Sequence, residues 1–230
     1  MNRRHLLISV AGALALADLA APALAKTEIR ISTASPDSSA LSDAFRLIKE
    51  RMEAAYPNDI SVAVHTASTL FRQGTELPAM QRGNLEMASP VVPEIEAQLP
   101  EYGVFSSGYV FRDPDHMLKV FNGPIGEEFY AKVADTMGIV ILDTAYLGTR
   151  VVGLRSVKNI KTPADFAGVK LRMPPGAAFQ TLARAMGVTP LAMPITEVYL
   201  ALQTGAIDGQ DNPTNMQRDW KFDEVSKEIV

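Results

Sequence analysis

Arg172 is the charged residue whose place in the chain best suits the binding of an anion. It ends an apolar run, residues 169–172, one residue before the rigid segment Pro174-Pro175-Gly176. In open α/β sheets, ligands bind just beyond the carboxyl ends of strands, and a guanidinium there can hold a carboxylate through two charge-assisted hydrogen bonds. The alternative interpretation is that Arg172 pairs with an internal aspartate or glutamate.

Arg150 has the same two interpretations, a ligand contact or an internal ion pair, because it stands at the border of a strand after residues 146–149. The segment 208–213, Asp-Gly-Gln-Asp-Asn-Pro, has the composition of a turn. By itself it predicts a loop rather than a site. Solvation or helix capping explains its aspartates, Asp208 and Asp211.

The residue types needed for catalysis or metal binding are missing from the sequence. His65 and His116 are the histidines after residue 25, and neither has a second ligand-type residue at metal-binding spacing. The absence of cysteine excludes thiolate metal sites and cysteine nucleophiles. There is no nucleophile elbow, phosphate-binding loop or dinucleotide fingerprint. We therefore expect a protein that is not an enzyme and that carries no metal and no cofactor.

Short β-rich runs alternate with helical periods from Glu28 onward, which predicts an α/β fold with largely parallel strands. Predicted strands comprise residues 29–31, 62–64, 85–88, 139–142 and 169–172. Predicted helices comprise residues 41–52, 77–83, a segment opened by Asp113-Pro114, 127–137, 162–165, 179–186, and 197–203 capped by Thr196. The first half therefore contains two consecutive βαβ units.

Composition and charge are those of an ordinary globular protein. Of the 230 residues, 47% are hydrophobic and 21% are charged, and the formal net charge is −4. A negative balance argues against nucleic acid or an anionic membrane surface as the main partner. Any bound anion must therefore be held by a few local cations.

Residues 1–25 have the three-part pattern of a secretory signal peptide. Arg3 and Arg4 precede an apolar run, and Ala23 and Ala25 supply small residues before Lys26. Asp18 interrupts the run before it reaches the length of a membrane-spanning helix. We expect cleavage, export to the periplasm and no stable membrane insertion afterwards.

Five segments, taken together, resemble the solute-binding proteins of TRAP (tripartite ATP-independent periplasmic) transporters, of the dicarboxylate-binding type. They are LFRQGTEL at 70–77, GNLEMA at 83–88, GTR at 148–150, IKTPADFAGVKLRMP at 160–174 and EVYLALQTGAIDGQDNP at 197–213. Their order and spacing are both kept, and the resemblance extends over residues 28 to 222.

The resemblance implies a two-lobed periplasmic solute-binding protein fold with a mixed, mostly parallel sheet in each lobe. The lobes close over a small organic acid and deliver it to TRAP membrane subunits. By motif position, Arg172 corresponds to the family's carboxylate-clamping arginine and Arg150 to its second cation. Asn212 matches an asparagine that hydrogen-bonds the ligand, and Gln73 a polar contact from the first lobe. Ile195 stands where many members place an aromatic side chain against the ligand.

The implied domains are the signal peptide, a first lobe at 26–147 and a second lobe at 148–213. Residues 214–230 are expected to start the family's long connecting helix and to belong with the first lobe. Family members run on beyond Val230, so we expect an incomplete second lobe. Two functions stay open: capture of a carboxylate or C4-dicarboxylate for transport, and a truncated, binding-deficient sensor or interaction protein.

Overall fold

The computed structural model describes residues 26–230, which form two β-sheets with helices packed around them. The predicted signal peptide, residues 1–25, lies outside this range. The strands are Thr27–Ser32 (β1), Ile60–His65 (β2), Met87–Ala88 (β3), Arg150–Leu154 (β4), Lys170–Met173 (β5), Thr189–Ala192 (β6), Gly209–Pro213 (β7) and Glu228–Ile229 (β8). The α-helices are Ala40–Ala55 (α1), Glu76–Gln81 (α2), Val92–Ile95 (α3), Pro114–Phe121 (α4), Pro124–Met137 (α5), Ala177–Ala185 (α6), Val198–Thr204 (α7) and Thr214–Asp219 (α8). Short 3₁₀ turns cover Pro100–Ser106, Pro163–Phe166, Ile195–Glu197 and Phe222–Glu224. Within residues 26–230, no helix combines the length and the apolar character needed to cross a membrane.

The first sheet has the order β2-β1-β3, and both of its pairings are parallel. Parallel neighbours need a crossover connection, which α1 and α2 supply. α1 begins after Ser39, whose side chain accepts a hydrogen bond from the Ser42 N–H. Its apolar stripe places Phe45 against Ile31 and Val62. The two predicted βαβ units are therefore confirmed.

The second sheet is mixed, with the order β6-β5-β7-β4-β8. β5 runs parallel to β6 and β7, whereas β4 runs antiparallel to β7 and β8. α6 follows β5 and packs Phe179 and Ala183 against Leu171 and Met173. The predicted α/β class is confirmed. We call the parts around the two sheets the first lobe and the second lobe; the boundaries 26–147 and 148–213 stay predictions.

The prediction of a strand at residues 139–142 is wrong. α5 ends at Gly138, whose φ of 66° forms a left-handed cap. Ile139 is then buried against α5, while Val140 is 70% and Leu142 75% exposed. The side chains alternate as in a strand, but no strand among the described residues pairs with the segment. The apolar run is an extended connection between the two sheets.

β7 lies at the centre of the second sheet, where the sequence predicts a loop. All five of its residues are buried. Its polar side chains bond to one another, since Asn212 Nδ2 donates to Gln210 Oε1 at 2.6 Å. Buried polar groups persist in a sheet when hydrogen bonds satisfy them, so this strand has no apolar signature.

The expected long helix over residues 214–230 is absent from the described chain. α8 ends after six residues, and Lys221 takes a left-handed φ of 56°, which stops a helix. A 3₁₀ turn follows, and β8 then pairs with β4. Within the described residues, this segment adds an edge strand to the second sheet; its assignment to the first lobe stays a prediction.

α7 starts one residue later than predicted. Residues Ile195–Glu197 form a 3₁₀ turn, so Thr196 lies inside that turn and is not the helix cap. The helix ends at Thr204, one residue beyond the predicted end, where Gly205 has a φ of 78° and closes it. The turn matters for the site because it presents the Ile195 N–H.

Candidate ligand-binding site

Arg172 lies on β5 and has no exposed surface. Its Nε donates to the backbone oxygen of Met193 at 2.8 Å, and its Nη2 donates to Gln73 Oε1 at 3.4 Å. Within residues 26–230, Nη1 has no hydrogen-bond partner and no acidic side chain forms an ion pair with the guanidinium. A buried cation without a counter-ion is strongly disfavoured. The site therefore lacks a negative charge that an incoming carboxylate would supply.

The electrostatic environment of Arg172 destabilises its charged form. Burial lowers the pKa of the guanidinium from its ordinary value to about 9; the neighbouring cation of Arg150 also lowers it, and Asp211 raises it. Because 9 is still above neutral pH, the group keeps its positive charge. A cation held under these conditions gains more from an anion than an exposed one does.

Gln73 reaches Arg172 from the first lobe. It lies in the loop between β2 and α2, and its Oε1 accepts from the Ile195 N–H at 2.9 Å as well as from Arg172. Ile195 is 4% exposed and packs in the core around α7. Three of the residues predicted from the sequence are therefore in contact, one from the first lobe and two from the second.

Asn212 lies on the same face of the second sheet as Arg172. Arg172 and Gln210 are register partners, and side chains two residues apart on a strand share a face. Asn212 is 3% exposed, and its Nδ2 donates to Gln210. The unpartnered Nε2 of Gln210 lies over Gly153, where an added Cβ would be 2.6 Å away. Asn212 and Arg172 therefore share a face of the sheet, and no hydrogen bond joins them in the described chain.

Arg150 forms an internal ion pair, which was the alternative interpretation of this residue. Its Nε donates to Asp211 Oδ1 at 2.9 Å and to Oδ2 at 3.1 Å. The guanidinium also lies over the Phe179 ring, 4.8 Å from its centroid. Asp211 is only 6% exposed, so its interpretation as a solvated or capping carboxylate is wrong.

The strand register places Arg150 and Arg172 on opposite faces of one sheet edge. Val152 is paired with Asp211, and Val151 with Asn212. Since side chains alternate between faces, Arg150 falls on the face of Asp211 and Arg172 on the face of Asn212. The ends of β5 and β7 and the start of β4 meet at this edge, which is where the position of Arg172 predicts a ligand.

Glu94 is a charged residue near the site that the sequence reasoning missed. Its Oε2 is shielded from solvent and has no hydrogen-bond partner within residues 26–230. Burial raises the pKa of this carboxyl from 4.5 to about 8, and the neighbouring Glu76 raises it further, while Gln73 and the Val91 N–H oppose the shift. A signal was present, because Glu94 interrupts the apolar run 91–95.

The two lobes touch at several further points around Arg172. Glu96 Oε1 accepts from the Ala178 N–H at 3.0 Å, at the start of α6. Gly176, in the loop after β5, lies so close to the first lobe that an added Cβ would be 2.4 Å from Pro93 Cβ. Arg72 and Glu197 form an exposed ion pair across the lobes. The described lobes thus cover Arg172 from the side of the first sheet.

An open cleft of about 400 Å³ lies between the 3₁₀ turn at 100–106 and α6. Small residues such as Gly103, Gly108 and Ala177 line it, and Glu96 is its charged lining residue. No cation is among the residues that line this cleft, whereas Glu96 brings an acidic group to it. The candidate site is therefore the buried edge at Arg172 and not the more open cleft.

The sequence matches the family model DctP, described as bacterial extracellular solute-binding protein, family 7, over residues 31–230. It is 31% identical over 232 residues to the C4-dicarboxylate-binding periplasmic protein DctP of Rhodobacter capsulatus, covering 99% of this chain and 68% of that protein. It is 29% identical over 185 residues to the sialic acid-binding periplasmic protein SiaP of Vibrio cholerae, covering 80% of this chain and 57% of that protein.

The fold is similar to that of a TRAP periplasmic solute-binding protein from Roseobacter denitrificans solved with bound 3-deoxy-D-manno-oct-2-ulosonic acid. The TM-score is 0.84 at 38% sequence identity, covering 89% of this chain and 67% of that one. The chain thus spans between 57% and 68% of the length of these three proteins.

Proposed function

The chain belongs to family 7 of the bacterial extracellular solute-binding proteins, the DctP family, and from this we propose that it captures a small organic acid and delivers it to the membrane subunits of a TRAP transporter. The predicted signal peptide supports a location in the periplasm, where such a protein meets its solute. The family is one of solute-binding proteins, and we propose that this member likewise performs no catalysis.

The observation that carries the proposal is the buried, unpaired guanidinium of Arg172. The three similar proteins are named for, or hold, different ligands, but each of those ligands is an organic acid. A carboxylate on the free Nη1 side of Arg172 would neutralise a cation that the described chain leaves without a counter-ion. The charge-assisted hydrogen bonds formed there are among the strong ones in proteins.

The other predicted residues have supporting roles in this proposal. Gln73 holds the Arg172 guanidinium in place from the first lobe, and Asn212 offers an amide on the same face. Ile195 donates its backbone N–H to Gln73, while its side chain packs in the core around α7. Arg150 adds positive potential near Arg172, but its Nε and Nη2 are bonded to Asp211, so we assign it no primary ligand contact.

The proposal is tested by melting the purified protein with a panel of acids: four six-carbon aldonates, succinate and hexanoate. A ligand at a hundredfold excess over Kd stabilises the fold by about 2.7 kcal/mol, which is a clear shift of the melting temperature. We expect at least one acid to give this shift in the wild type. Arg172→Ala should abolish it, because loss of one partner of a buried charge pair costs about 2 to 5 kcal/mol of binding.

Two variants make the test specific. Arg172→Lys should also bind poorly, because an ammonium cannot supply the planar fork of a guanidinium. Arg184→Ala removes the same charge from an exposed position on α6 and should bind like the wild type. If no acid shifts the wild-type melting temperature, or if Arg172→Ala binds as tightly as the wild type, the proposal is wrong.

A further inference from the structure

Gln73 is close to two ionisable groups of opposite sign, the buried Arg172 and the partly buried Glu94. Its Oε1 accepts from Arg172 Nη2, and its amide is near enough to the Glu94 carboxyl to lower the pKa of that group. The amide nitrogen is the only donor in the Gln73 side chain. The cation of the second lobe and the acid of the first lobe therefore lie on the two sides of one amide group.

The backbone of the two lobes supports the same placement of Glu94. It belongs to the short helix α3, whose Pro93 touches the loop at Gly176. That loop directly follows the strand that carries Arg172. Glu94 is thus held against the edge of the second sheet by close backbone contact between the lobes.

Arg172 and Glu94, which lie on the two sides of Gln73, each contain a polar atom that has no hydrogen-bond partner in the described chain. Arg172 Nη1 and Glu94 Oε2 are shielded from solvent, and neither has a partner within residues 26–230. Buried polar atoms without partners are rare and mark places where a ligand or a water binds. A carboxylate of the ligand can pair with Arg172, whereas the group that binds beside Glu94 must be one other than a carboxylate.

We propose that Glu94 is a specificity-determining residue that binds a hydroxyl group of the ligand. On this view the protein selects monocarboxylic acids that carry hydroxyl groups, such as sugar acids, over C4-dicarboxylates. The inference rests on the proposed function, since it takes the carboxylate of the ligand to lie on Arg172.

Charge beside Glu94 disfavours a second carboxylate there. Glu94 lies near Glu76, which is 3% exposed, and neither acid takes part in an ion pair within the described chain. A dicarboxylate would bring a further negative charge to this pair without any cation to offset it. Burial raises the pKa of Glu94 to about 8, so at neutral pH its carboxyl carries a proton. In that form it both donates and accepts, which matches a hydroxyl.

The test is isothermal titration calorimetry at pH 7 with D-gluconate, D-galactonate, D-mannonate, L-gulonate, hexanoate and succinate. Hexanoate has the six carbons of the aldonates but no hydroxyl groups. We expect the best aldonate to bind at least about tenfold more tightly than succinate and than hexanoate, since an unmet buried polar group costs this much or more. Glu94→Ala should weaken aldonate binding by about tenfold and leave hexanoate binding unchanged.

Two further variants separate recognition from folding. Glu94→Gln keeps one donor and one acceptor, so it should retain aldonate binding within a few fold of the wild type even if Glu94→Ala folds poorly. Glu101→Ala removes an exposed acid seven residues away and should bind every ligand as the wild type does.

The outcomes distinguish this inference from the proposed function. Tighter or equal binding of succinate would overturn the role of Glu94 while the proposed function stands. Equal loss of aldonate and hexanoate in Glu94→Ala would show a merely structural role and would also overturn it. Failure of every acid to bind the wild type would remove the proposed function itself.

Discussion

One arginine of the candidate site lies on each face of the second sheet, and the two guanidinium groups differ in the partners they bind. On the Arg150 face, the guanidinium is bound to Asp211 and lies over Phe179. On the Arg172 face, the guanidinium is fully buried and bonded to a backbone oxygen and an amide oxygen, with no acid paired to it in the described chain. Both arginines stand at the same edge of the sheet.

The comparison teaches that sequence position alone does not separate a structural arginine from a ligand-binding one. What separates them is whether the chain supplies the counter-ion. A paired cation contributes to the fold, whereas an unpaired buried cation opposes folding and favours an anion from outside. The two sites should therefore respond in opposite ways when they are mutated.

Removal of the Arg172 charge should have the largest effect, and it should stabilise the ligand-free protein. The folded-state pKa of about 9 lies well below the ordinary pKa of arginine in the unfolded chain, so the charge opposes folding in full at every pH below about 9. The penalty fades as the pH rises from there toward the ordinary pKa of arginine. For Arg172→Met we expect the free energy of unfolding at pH 7 to rise by an amount on the order of 4 kcal/mol.

Urea unfolding of Arg172→Met and wild type between pH 7 and pH 10 measures this gain. The gain should shrink as the pH rises above 9, and the variant should show no stabilisation by any acid. Arg184→Met, at an exposed arginine, serves as the control with the same change in charge. A strong loss of stability in Arg172→Met at pH 7 would mean that the guanidinium has a structural partner, and the contrast between the faces would disappear.

Removal of the Asp211 charge should have the next largest effect, with the opposite sign. Asp211→Asn leaves Arg150 without its partner, and the Arg150 side chain is 26% exposed, so water relieves part of the penalty. We expect a loss of about 2 to 3 kcal/mol in the free energy of unfolding. Ligand affinity should stay within about threefold of the wild type, because Asp211 lies on the other face.

The control for this change is Asp135→Asn, at an exposed position on α5. Calorimetry and urea unfolding together then compare the two faces. Arg172→Met should gain stability and lose binding, while Asp211→Asn should lose stability and keep binding. Loss of binding in Asp211→Asn without loss of stability would contradict the assignment of Arg150 to the fold.

The sequence predicts the elements of this fold whose signal is apolar periodicity. The helix at 41–52 and the strand at 169–172 are found close to their predicted positions. Two failures have physical causes. β7 consists of polar, turn-forming residue types, and hydrogen bonds with each other and with Arg150 hold several of their side chains inside the sheet. The run 139–142 has the pattern of a strand, but no strand among the described residues pairs with it.

Only some residues of the candidate site could be predicted from the sequence, because contacts between distant segments of the chain bring the others together. Arg172 stands out because a charge at the end of an apolar strand has a defined place at the sheet edge. The pairing of Arg150 with Asp211 depends on the antiparallel register of β4 and β7, which links residues 61 positions apart. Glu94 depends on contact between the lobes, and no local pattern contains that information.

A smaller effect is expected at Gly176, where the loop after β5 lies close to Pro93 of the first lobe. Its φ is +142°, and a Cβ there would lie 2.4 Å from Pro93 Cβ. Gly176→Ala should therefore weaken ligand binding by about tenfold, which is about 1.4 kcal/mol, because the lobes can no longer close fully. Gly168→Ala is the matched control, since its φ is +78° and an added Cβ meets nothing within 4 Å. Equal affinity losses in the two variants would show backbone strain alone.

The smallest effect should come from the ion pair between Arg72 and Glu197, which also joins the lobes. Its side chains are 59% and 49% exposed, so water and salt screen both charges. For Glu197→Gln we expect a change of about 0.5 kcal/mol or less in binding free energy. Like Arg150 and Asp211, these two residues form an ion pair, and like Gln73 they connect the two lobes. Unlike those residues, both side chains are largely exposed to solvent. A loss above tenfold in calorimetry at physiological salt would mean that surface charge, and not the buried edge, holds the lobes together. A negligible loss would confine the binding energy to Arg172 and its buried neighbours.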